Sequence, residues 1–392
     1  MSEISISAEQ LNAEKNDRFH RFKLISWWDQ DLLRRSKVLV IGAGALGNEI
    51  IKNLALLGVG NIFIADMDLV ENSNLSRSIL YREVDSGKSK AQIAAKTAKD
   101  IYPAINAHYF VGNIVYDLGL GIYNWADVVI GGLDNREARL AINRACYKLN
   151  KPFIDGAIER IDGVARVFVP DGPCYECTMS NEDWKQLNMR RSCALLTRDE
   201  MLEGKVPTTP TISSVIAGIQ VQEAVKYLHG KEVMAGKGFN YFGLTCESYL
   251  VEYSKKDNCM SHFTFENIEL LDKSINQVTL REMLGIVIAD LGLGTVIELN
   301  NDILTYLYCR KCDIQYPKYC SLGKVTQKEG NCPTCQGKLA VNTISTISVE
   351  ENFLQYRLSD IGIPLFDIIT ARNCDKYKHY LFNCDSEIVL GI

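Results

Sequence analysis

The run "VLVIGAGALGNEI", Val38 to Ile50, constrains the fold more than any other part of the chain. Four apolar residues, Val38 to Ile41, enter a turn of Gly42, Gly44 and Gly47, and a helical pattern follows. A strand that turns into a helix over glycines lets backbone N–H groups approach a phosphate with no side chain in the way. A second apolar run, Asn61 to Ala65, ends on an acid, Asp66. Dinucleotide enzymes place an acid about 20 positions past the glycines to hold ribose hydroxyls. Taken alone, the run therefore fits a dehydrogenase as well as any other nucleotide-binding protein.

The alternation continues. Val38 to Ile41, Ile62 to Ala65, His108 to Val111, Val128 to Gly131 and Phe153 to Ala157 read as strands. Gly47 to Leu57, Lys88 to Ile101 and Arg136 to Leu149 read as the helices between them. Strand and helix alternating at this spacing predict a doubly wound α/β domain with a parallel sheet. Ligands bind such sheets outside the carboxyl ends of the strands. Gly42, Asp66 and Asp134 all fall at such ends. Residues 20 to 35 read as a short helical lead-in, with Arg18, Arg21, Arg34 and Arg35 on or beside it. Residues 163 to 170 read as a strand leading away from the parallel half. Further on, Pro210 suits a first helical turn and Gly230 a stop, with Val215, Ile219, Ala224, Val225 and Leu228 as the buried stripe.

Near residue 262 the texture changes. Short apolar runs and two further Cys-x-x-Cys pairs predict a separate, small α+β domain over 263–392. Within it, "VTLREMLGIVIADLG" reads as an amphipathic helix and "GTVIELNNDILTYLYC" as a strand. The chain is thereby divided into a lead-in (1–35), a nucleotide-binding domain (36–262) with a polar crossover segment (178–210), and the C-terminal domain. A formal charge of −5 argues against broad nucleic-acid binding. No apolar run reaches the ~18 residues of a membrane span, and the first residues lack an apolar signal core, so a cytoplasmic setting is expected.

The residues after Asp66 bear on which nucleotide is bound. Asn74 and Arg77 lie in a polar loop past the second strand, and Lys90 opens the next helix. Two cations and an amide beside a glycine turn suit a triphosphate better than a bridging pyrophosphate. Asp134 closes the fourth strand, where a carboxylate can hold Mg²⁺ against phosphate oxygens. Arg18 and Arg21 precede the first strand and are candidates to reach a phosphate.

At these positions the chain resembles the E1-like (ThiF/MoeB/ubiquitin-activating) adenylyltransferases. The resemblance is carried by "RFHR", "GAGALG", "DMDLVENSNLSR", Lys90 and "LDN", and spans residues 18 to 262. It implies a Rossmann-like fold of the ThiF/MoeB type that binds ATP, with Asp66 on the ribose. It also implies that Asn74, Arg77 and Lys90 hold the phosphates and that Asp134 ligates Mg²⁺. Arg21 is implied as an arginine finger reaching across the interface of a homodimer. Phe22 and Ser78 stand where the family commonly has glutamine, and neither is expected to carry chemistry.

Thirteen cysteines in a chain of 392 residues without an export signal point to metal rather than disulfides. Cys174 with Cys177, and Cys259 with His262, each can clip one side of a tetrahedral Zn²⁺. The resemblance implies a structural zinc site of two Cys-x-x-Cys pairs here, and this chain has Cys-x-x-His as the second. Cys246 is the alternative ligand. Cys309 with Cys312, and Cys332 with Cys335, separated by 19 residues, read as a zinc ribbon. Cys320, Cys146, Cys374 and Cys384 read as core or incidental. Cys193 has no Cys-x-x-Cys partner and lies among Arg190, Arg191 and Arg198, cations that would lower a thiol's pKa. In thioester-forming members of the family the acceptor cysteine lies a short way past the first zinc pair, before a crossover loop.

The expected activity is therefore Mg-ATP-dependent adenylation of the C-terminal glycine of a ubiquitin-like protein. A thioester on Cys193 and transfer to an E2-like enzyme would follow, the C-terminal domain being a ubiquitin-fold-like recruiter by position. The alternatives are a sulfur-carrier-protein adenylyltransferase, whose chemistry stops at the adenylate or a persulfide, and a non-catalytic scaffold that binds a ubiquitin-like partner.

Overall fold

The structure is a computed structural model that describes residues 17–192, 207–321, 324–325 and 329–391. Its first layer is an eight-stranded sheet. The strands are β1 (Lys37–Ile41), β2 (Asn61–Ala65), β3 (Asn106–Phe110), β4 (Val128–Gly131), β5 (Phe153–Glu159), β6 (Asp162–Phe168), β7 (Lys237–Phe242) and β8 (Glu247–Glu252). They lie in the order β3-β2-β1-β4-β5-β6-β7-β8. The first five are parallel and the last three continue antiparallel. Strand order reverses between β1 and β4, and the crevice at that point is where an open α/β sheet takes its ligand.

Alternation along the strands explains the two faces. Val38, Val40, Ile62, Ile64, Val128, Ile130 and Ile154 point to one side, under helices α1 (Ala45–Leu57), α2 (Lys90–Ile101) and a later helix, Pro210–Leu228. Leu39, Ile41, Phe63, Ala65, Val129 and Phe153 point to the other, under the helix Leu120–Trp125 and α3 (Arg136–Lys148).

The helix Pro210–Leu228, α4, starts as expected, with Pro210 at its first turn and Thr209 as its N-cap. Of the expected stripe, Ala224 and Val225 are buried and Ile219 and Leu228 pack against the core, and Val215 departs from it. Val215 is 37% exposed, whereas Ile212, Ile216, Ala217, Val221, Ala224 and Val225 are buried. The helix packs on both α1 and the sheet, so polar residues enter its buried set. Gln220 donates to the carbonyls of Gly131 (2.8 Å) and Ile154 (3.3 Å), and Glu223 pairs with Lys226. A helix wedged on two sides carries a buried set wider than one apolar stripe.

A second sheet follows residue 262. It comprises β9 (Ile268–Leu271), β10 (Val296–Cys309), β11 (Ile314–Ser321), β12 (Ala340–Ile347), β13 (Ile368–Asn373) and β14 (Lys376–Phe382). The order is β11-β10-β13-β14-β9, with β12 also paired to β10. Helix α5 (Leu280–Leu291), opened by a Thr279–Glu282 capping box, buries Leu280, Met283, Leu284 and Val287 against Ile297, Tyr380 and Phe382. The module has a core of its own and also shares one. Phe265, Phe366, Ile368, Leu381 and Leu390 complete the second face of the parallel sheet. No helix among the described residues is long and apolar enough to cross a membrane.

Phe366 sits at this junction and is 5% exposed. Phe366→Ala is expected to lower unfolding stability by about 3–5 kcal/mol, read from urea denaturation, because the ring fills space between two rigid layers.

Candidate nucleotide and metal sites

The glycine turn is built by close backbone approach. Gly42 has φ +93°, a conformation that L side chains rarely adopt. A Cβ on Gly42 would lie 2.7 Å from the Gly132 carbonyl, and one on Gly47 would lie 1.9 Å from the Gly42 carbonyl. Gly44 differs, since a Cβ there would meet nothing within 4 Å. Gly44 is the N-cap of α1 and provides no side-chain cap, so the first N–H groups of the helix face the open side of the turn. That is an anion-binding arrangement.

Polar groups lock the turn from behind. Asn48 donates to the carbonyls of Ala43 (2.8 Å) and Gly44 (3.0 Å) and accepts from the Leu80 N–H. The Tyr81 hydroxyl donates to the Ala43 carbonyl at 2.6 Å, and burial pushes its phenol pKa up, so the proton stays. Neither residue announces itself in the sequence, because an Asn in a helix and a Tyr in a loop are ordinary.

Asp66 leaves the end of β2. One carboxylate oxygen accepts from the Ala43 N–H (2.6 Å) and the other from the Asp68 N–H (2.7 Å). Burial raises its pKa above the ordinary carboxylate value, against the attraction of Lys90 and the two N–H donors. Lys90, at the start of α2, is 9% exposed. Its Nζ lies 2.9 Å from Asp68 Oδ2, and its N–H donates to the Asp68 carbonyl at 2.9 Å. Asp68 is thus a site residue that the sequence reading passed over, although it is the second acid of "DMD".

Asn74 and Arg77 sit on one 3₁₀ turn, Asn72–Arg77. The Asn74 carbonyl oxygen accepts from the Glu71 N–H (3.0 Å), which leaves its amide nitrogen to donate. Arg77 Nη1 donates to the Ser73 carbonyl at 2.8 Å. Asp134 is exposed, two residues beyond Gly132, whose N–H donates to the Ile41 carbonyl at 2.8 Å. The loop of Asp134 is held by Arg139, which is 9% exposed. Arg139 donates to Asp155 (3.0 Å), to the Gly156 carbonyl (3.0 Å) and to the Leu133 carbonyl. Asp155, fully buried, also accepts from Arg166 at 2.6 Å.

The two lead-in arginines lie elsewhere. The lead-in forms two pieces, His20–Leu24 and Gln30–Arg35, rather than one helix. Arg18 donates to the Ile101 carbonyl at 2.6 Å and lies over the Tyr102 ring, so it caps the carboxyl end of α2 instead of reaching the glycine turn. Arg21 is exposed. Its neighbour Phe19 packs on Gly58 at the carboxyl end of α1. The 13 residues of α1 separate that end from the glycine turn by about 20 Å.

Two clusters gather the metal-ligating side chains. The ligand atoms of Cys174, Cys177, Cys259 and His262 all lie within 4.8 Å of one another. Cys174 Sγ is 3.8 Å from Cys177 Sγ and 3.6 Å from Cys259 Sγ, and Cys177 Sγ is 3.3 Å from His262 Nε2. Metal–sulfur bonds of about 2.3 Å at tetrahedral angles place neighbouring sulfurs about 3.8 Å apart, so the spacing fits zinc. Cys246 is exposed and not among the four. The knuckle is tied to α3, since Asn143 accepts from the Tyr175 N–H (2.7 Å) and donates to Ser261 (3.0 Å), and Ser261 donates to Glu176 (2.5 Å). Cys309, Cys312, Cys332 and Cys335 form the second cluster, with Cys309 and Cys335 Sγ 3.5 Å apart. Cys320 packs beside it without joining it, Cys146 is buried, and Cys374 and Cys384 are exposed. Cys193 and Arg198 lie outside the described residues.

Comparison with known families decides the lineage: the ThiF family profile matches residues 17–262. The chain belongs to the ThiF family. Among similar ThiF-family proteins is the sulfur carrier protein adenylyltransferase of Thermus thermophilus, 35% identical over 173 residues, covering 42% of this chain and 64% of that one. The SAMP-activating enzyme E1 of Haloferax volcanii is 34% identical over 170 residues, covering 43% and 63%. The NEDD8-activating enzyme E1 catalytic subunit of Arabidopsis thaliana is 39% identical over 159 residues, covering 36% and 34%. The chain thus spans less than two thirds of these relatives. The crystal structure of E. coli MccB with ATP superposes with a TM-score of 0.54 at 23% identity, over 66% of this chain and 77% of that one, a likeness of fold.

The turn itself makes a prediction about folding. Gly47→Ala is expected to remove 3 kcal/mol or more of stability, on the order of a severe overpacking, while Gly44→Ala changes it by less than about 1 kcal/mol. Thermal melts of the two variants beside the parent chain check the contrast.

Proposed function

We propose that this chain uses Mg-ATP to adenylate the C-terminal glycine carboxylate of a ubiquitin-like or sulfur-carrier protein. The observation that carries the reading is that five polar side chains follow the carboxyl ends of β2 and β4 or open α2, in a ThiF-family chain whose α1 N-terminus has no side-chain cap. Asp66, Lys90, Asn74, Arg77 and Asp134 all lie past the carboxyl ends of β2 and β4 or at the start of α2. On this reading Asp66 holds the ribose, while Gly42, Gly44 and Gly47 admit the phosphates to the α1 N-terminus. Asn74, Arg77 and Lys90 neutralise phosphate charge, Lys90 exchanging its Asp68 partner for the nucleotide. Asp134 would hold Mg²⁺, which supplies charge neutralisation at the leaving pyrophosphate.

The step is a displacement at the α-phosphorus. A carboxylate oxygen of the partner's terminal glycine bonds to it, the bond to the β-phosphate bridging oxygen breaks, and pyrophosphate leaves with that electron pair. Catalysis of this kind needs positioning and electrostatics more than an acid or base. Arg21 is assigned to the active site of a second copy in a homodimer. Its exposure supports that assignment, as does the packing of Phe19, two residues before it, at the end of α1 remote from the glycine turn.

Zinc is proposed for both thiol clusters, because three or four sulfur ligands in a closed tetrahedron leave no open position and suit a structural ion. In the conjugation version the adenylate next acylates Cys193. Its thiolate attacks the acyl carbon, AMP leaves, and the thioester passes to an E2-like enzyme recruited by the 263–392 module. The sulfur-carrier version stops at the adenylate or a persulfide, and the names of several relatives favour it equally. A thiol-sensitive adduct that Cys193→Ala abolishes would select the first version.

Partner-dependent exchange of labelled pyrophosphate into ATP is the decisive assay. Asp134→Ala is expected to lower it by on the order of 10²–10³-fold. Mixing inactive Arg21→Ala chains with inactive Asp134→Ala chains is expected to restore about a quarter of the parent activity, since half the dimers are mixed and each holds one intact site. An active Asp134→Ala chain, or partner binding without ATP consumption, would favour a scaffold instead.

Metal analysis of the purified chain is expected to give about two zinc ions, and Cys259→Ser about one. A full complement in Cys259→Ser would remove that cysteine from the ligand set.

A further inference from the structure

We propose that segment 111–121 is the base-facing wall of the nucleotide pocket and that the 263–391 module holds it in place, with Asn301 as a positioning residue; this rests on the nucleotide reading above. Phosphates at the α1 N-terminus and ribose at Asp66 set a direction across the sheet, from β1 through β2 toward β3. Neighbouring strands are about 4.8 Å apart, so a base continuing that line lies over the end of β3. The Asp66 N–H donates to the Phe110 carbonyl at 3.1 Å, which makes the segment starting at Val111 the next backbone beyond the ribose site. Val111 is 47% exposed.

Segment 111–121 is fastened by the module. Inside the segment, the Asn113 N–H donates to Asp117 (3.1 Å) and the Val115 N–H to Asn113 (3.0 Å). Ile114, Leu118 and Leu120 pack into the core on the second face of the parallel sheet, and four polar contacts tie the segment to the C-terminal module. Asn301 donates to the Val115 carbonyl at 2.8 Å. Lys324 Nζ lies 2.8 Å from Asp117 Oδ1, an ion pair without hydrogen-bond alignment. The Leu120 N–H donates to buried Asp367 (2.8 Å), and the Gly121 N–H to the Phe366 carbonyl (2.8 Å).

Two glycines confirm how tight the fit is. A Cβ on Gly119 would lie 2.3 Å from the Leu365 carbonyl, and one on Gly121 would lie 2.3 Å from the Phe366 carbonyl. The module reaches across through an irregularity in β10, whose pairing with β12 shifts register between Glu298 and Ile303. Bulges re-aim side chains, and this one turns Asn300 and Asn301 onto the first domain. Asn300 accepts from Lys148 at 3.0 Å and donates to Asp367 at 3.3 Å. The ribbon-bearing module therefore sets the conformation of the wall without touching the nucleotide.

The test compares two probes on the full chain by calorimetry: Mg-ATP, which uses the wall, and magnesium tripolyphosphate, which does not. Asn301→Ala is expected to raise the Kd for Mg-ATP about 3- to 10-fold, the weight of one hydrogen bond, with the tripolyphosphate Kd unchanged. Lys324→Met, at an exposed surface pair, is expected to shift ATP alone by about 2- to 3-fold and serves if the first variant unfolds. Unchanged ATP affinity in both variants, or equal weakening of both probes, would overturn the inference. A parent chain that binds neither probe would instead overturn the nucleotide reading, and the inference with it.

Discussion

The rest of the structure depends on one contact between backbones. Gly42, Gly47 and Gly132 bring the end of β1, the start of α1 and the end of β4 closer than any side chain permits. α1 therefore starts directly after β1, where the strand order reverses toward β4. Asp66 follows β2 and Asp134 follows β4, the two strands that flank β1. Asn48 and Tyr81 hold the turn from the protein side, and the Gly42 and Ala43 N–H groups are taken by Ala65 and Asp66, which leaves the first N–H groups of α1 for a ligand.

Charge is arranged in two shells around that turn. Behind it, Arg139 and Asp155 are buried with Arg166 half-buried beside them, and each member has backbone or charged partners. A buried cluster of this kind adds little net stability but is costly to break, so it fixes the Leu133–Asp134 loop in one place. In front of it, Lys90 and Asp68 form an ion pair with Asp68 exposed, a pairing that an incoming phosphate can displace. Rigid charge behind and exchangeable charge in front is what a site for a polyanion requires.

The C-terminal module changes what the second face of the sheet means. Leu39, Ile41, Phe63 and Val129 are covered partly by helices of their own domain and partly by Phe366, Ile368, Leu381 and Leu390. The module's own core, around α5 and β13–β14, supports it, and the thiol cluster closes the β10–β11 end. Docking and folding are therefore linked: a chain without the module exposes apolar surface on its parallel sheet. The texture change near residue 262 marks where the second sheet begins, yet no sequence pattern could show that the two parts share a core.

How far the sequence alone reached follows from the range of each interaction. The strand–glycine–helix run, the Cys-x-x-Cys knuckles, Pro210 and the Thr279 cap are local, so a few adjacent residues determine them. Family resemblance in spaced motifs carried the reading from hydride transfer to nucleotide-driven activation, because five positions recur in one order. Placement across the fold was legible only in space. Arg18 caps α2 rather than reaching a phosphate, because a lead-in can cross either end of a sheet. The face of α4 was legible apart from Val215, which is exposed, and from buried Gln220 and Glu223, whose partners no periodicity reveals. Asn301 meets Val115 across 186 positions of chain through a register shift in β10. Local backbone chemistry determined the turn and the metal knuckles; tertiary packing alone decided which distant residues stand around them, since nothing in a one-dimensional spacing encodes the crossing of two sheets.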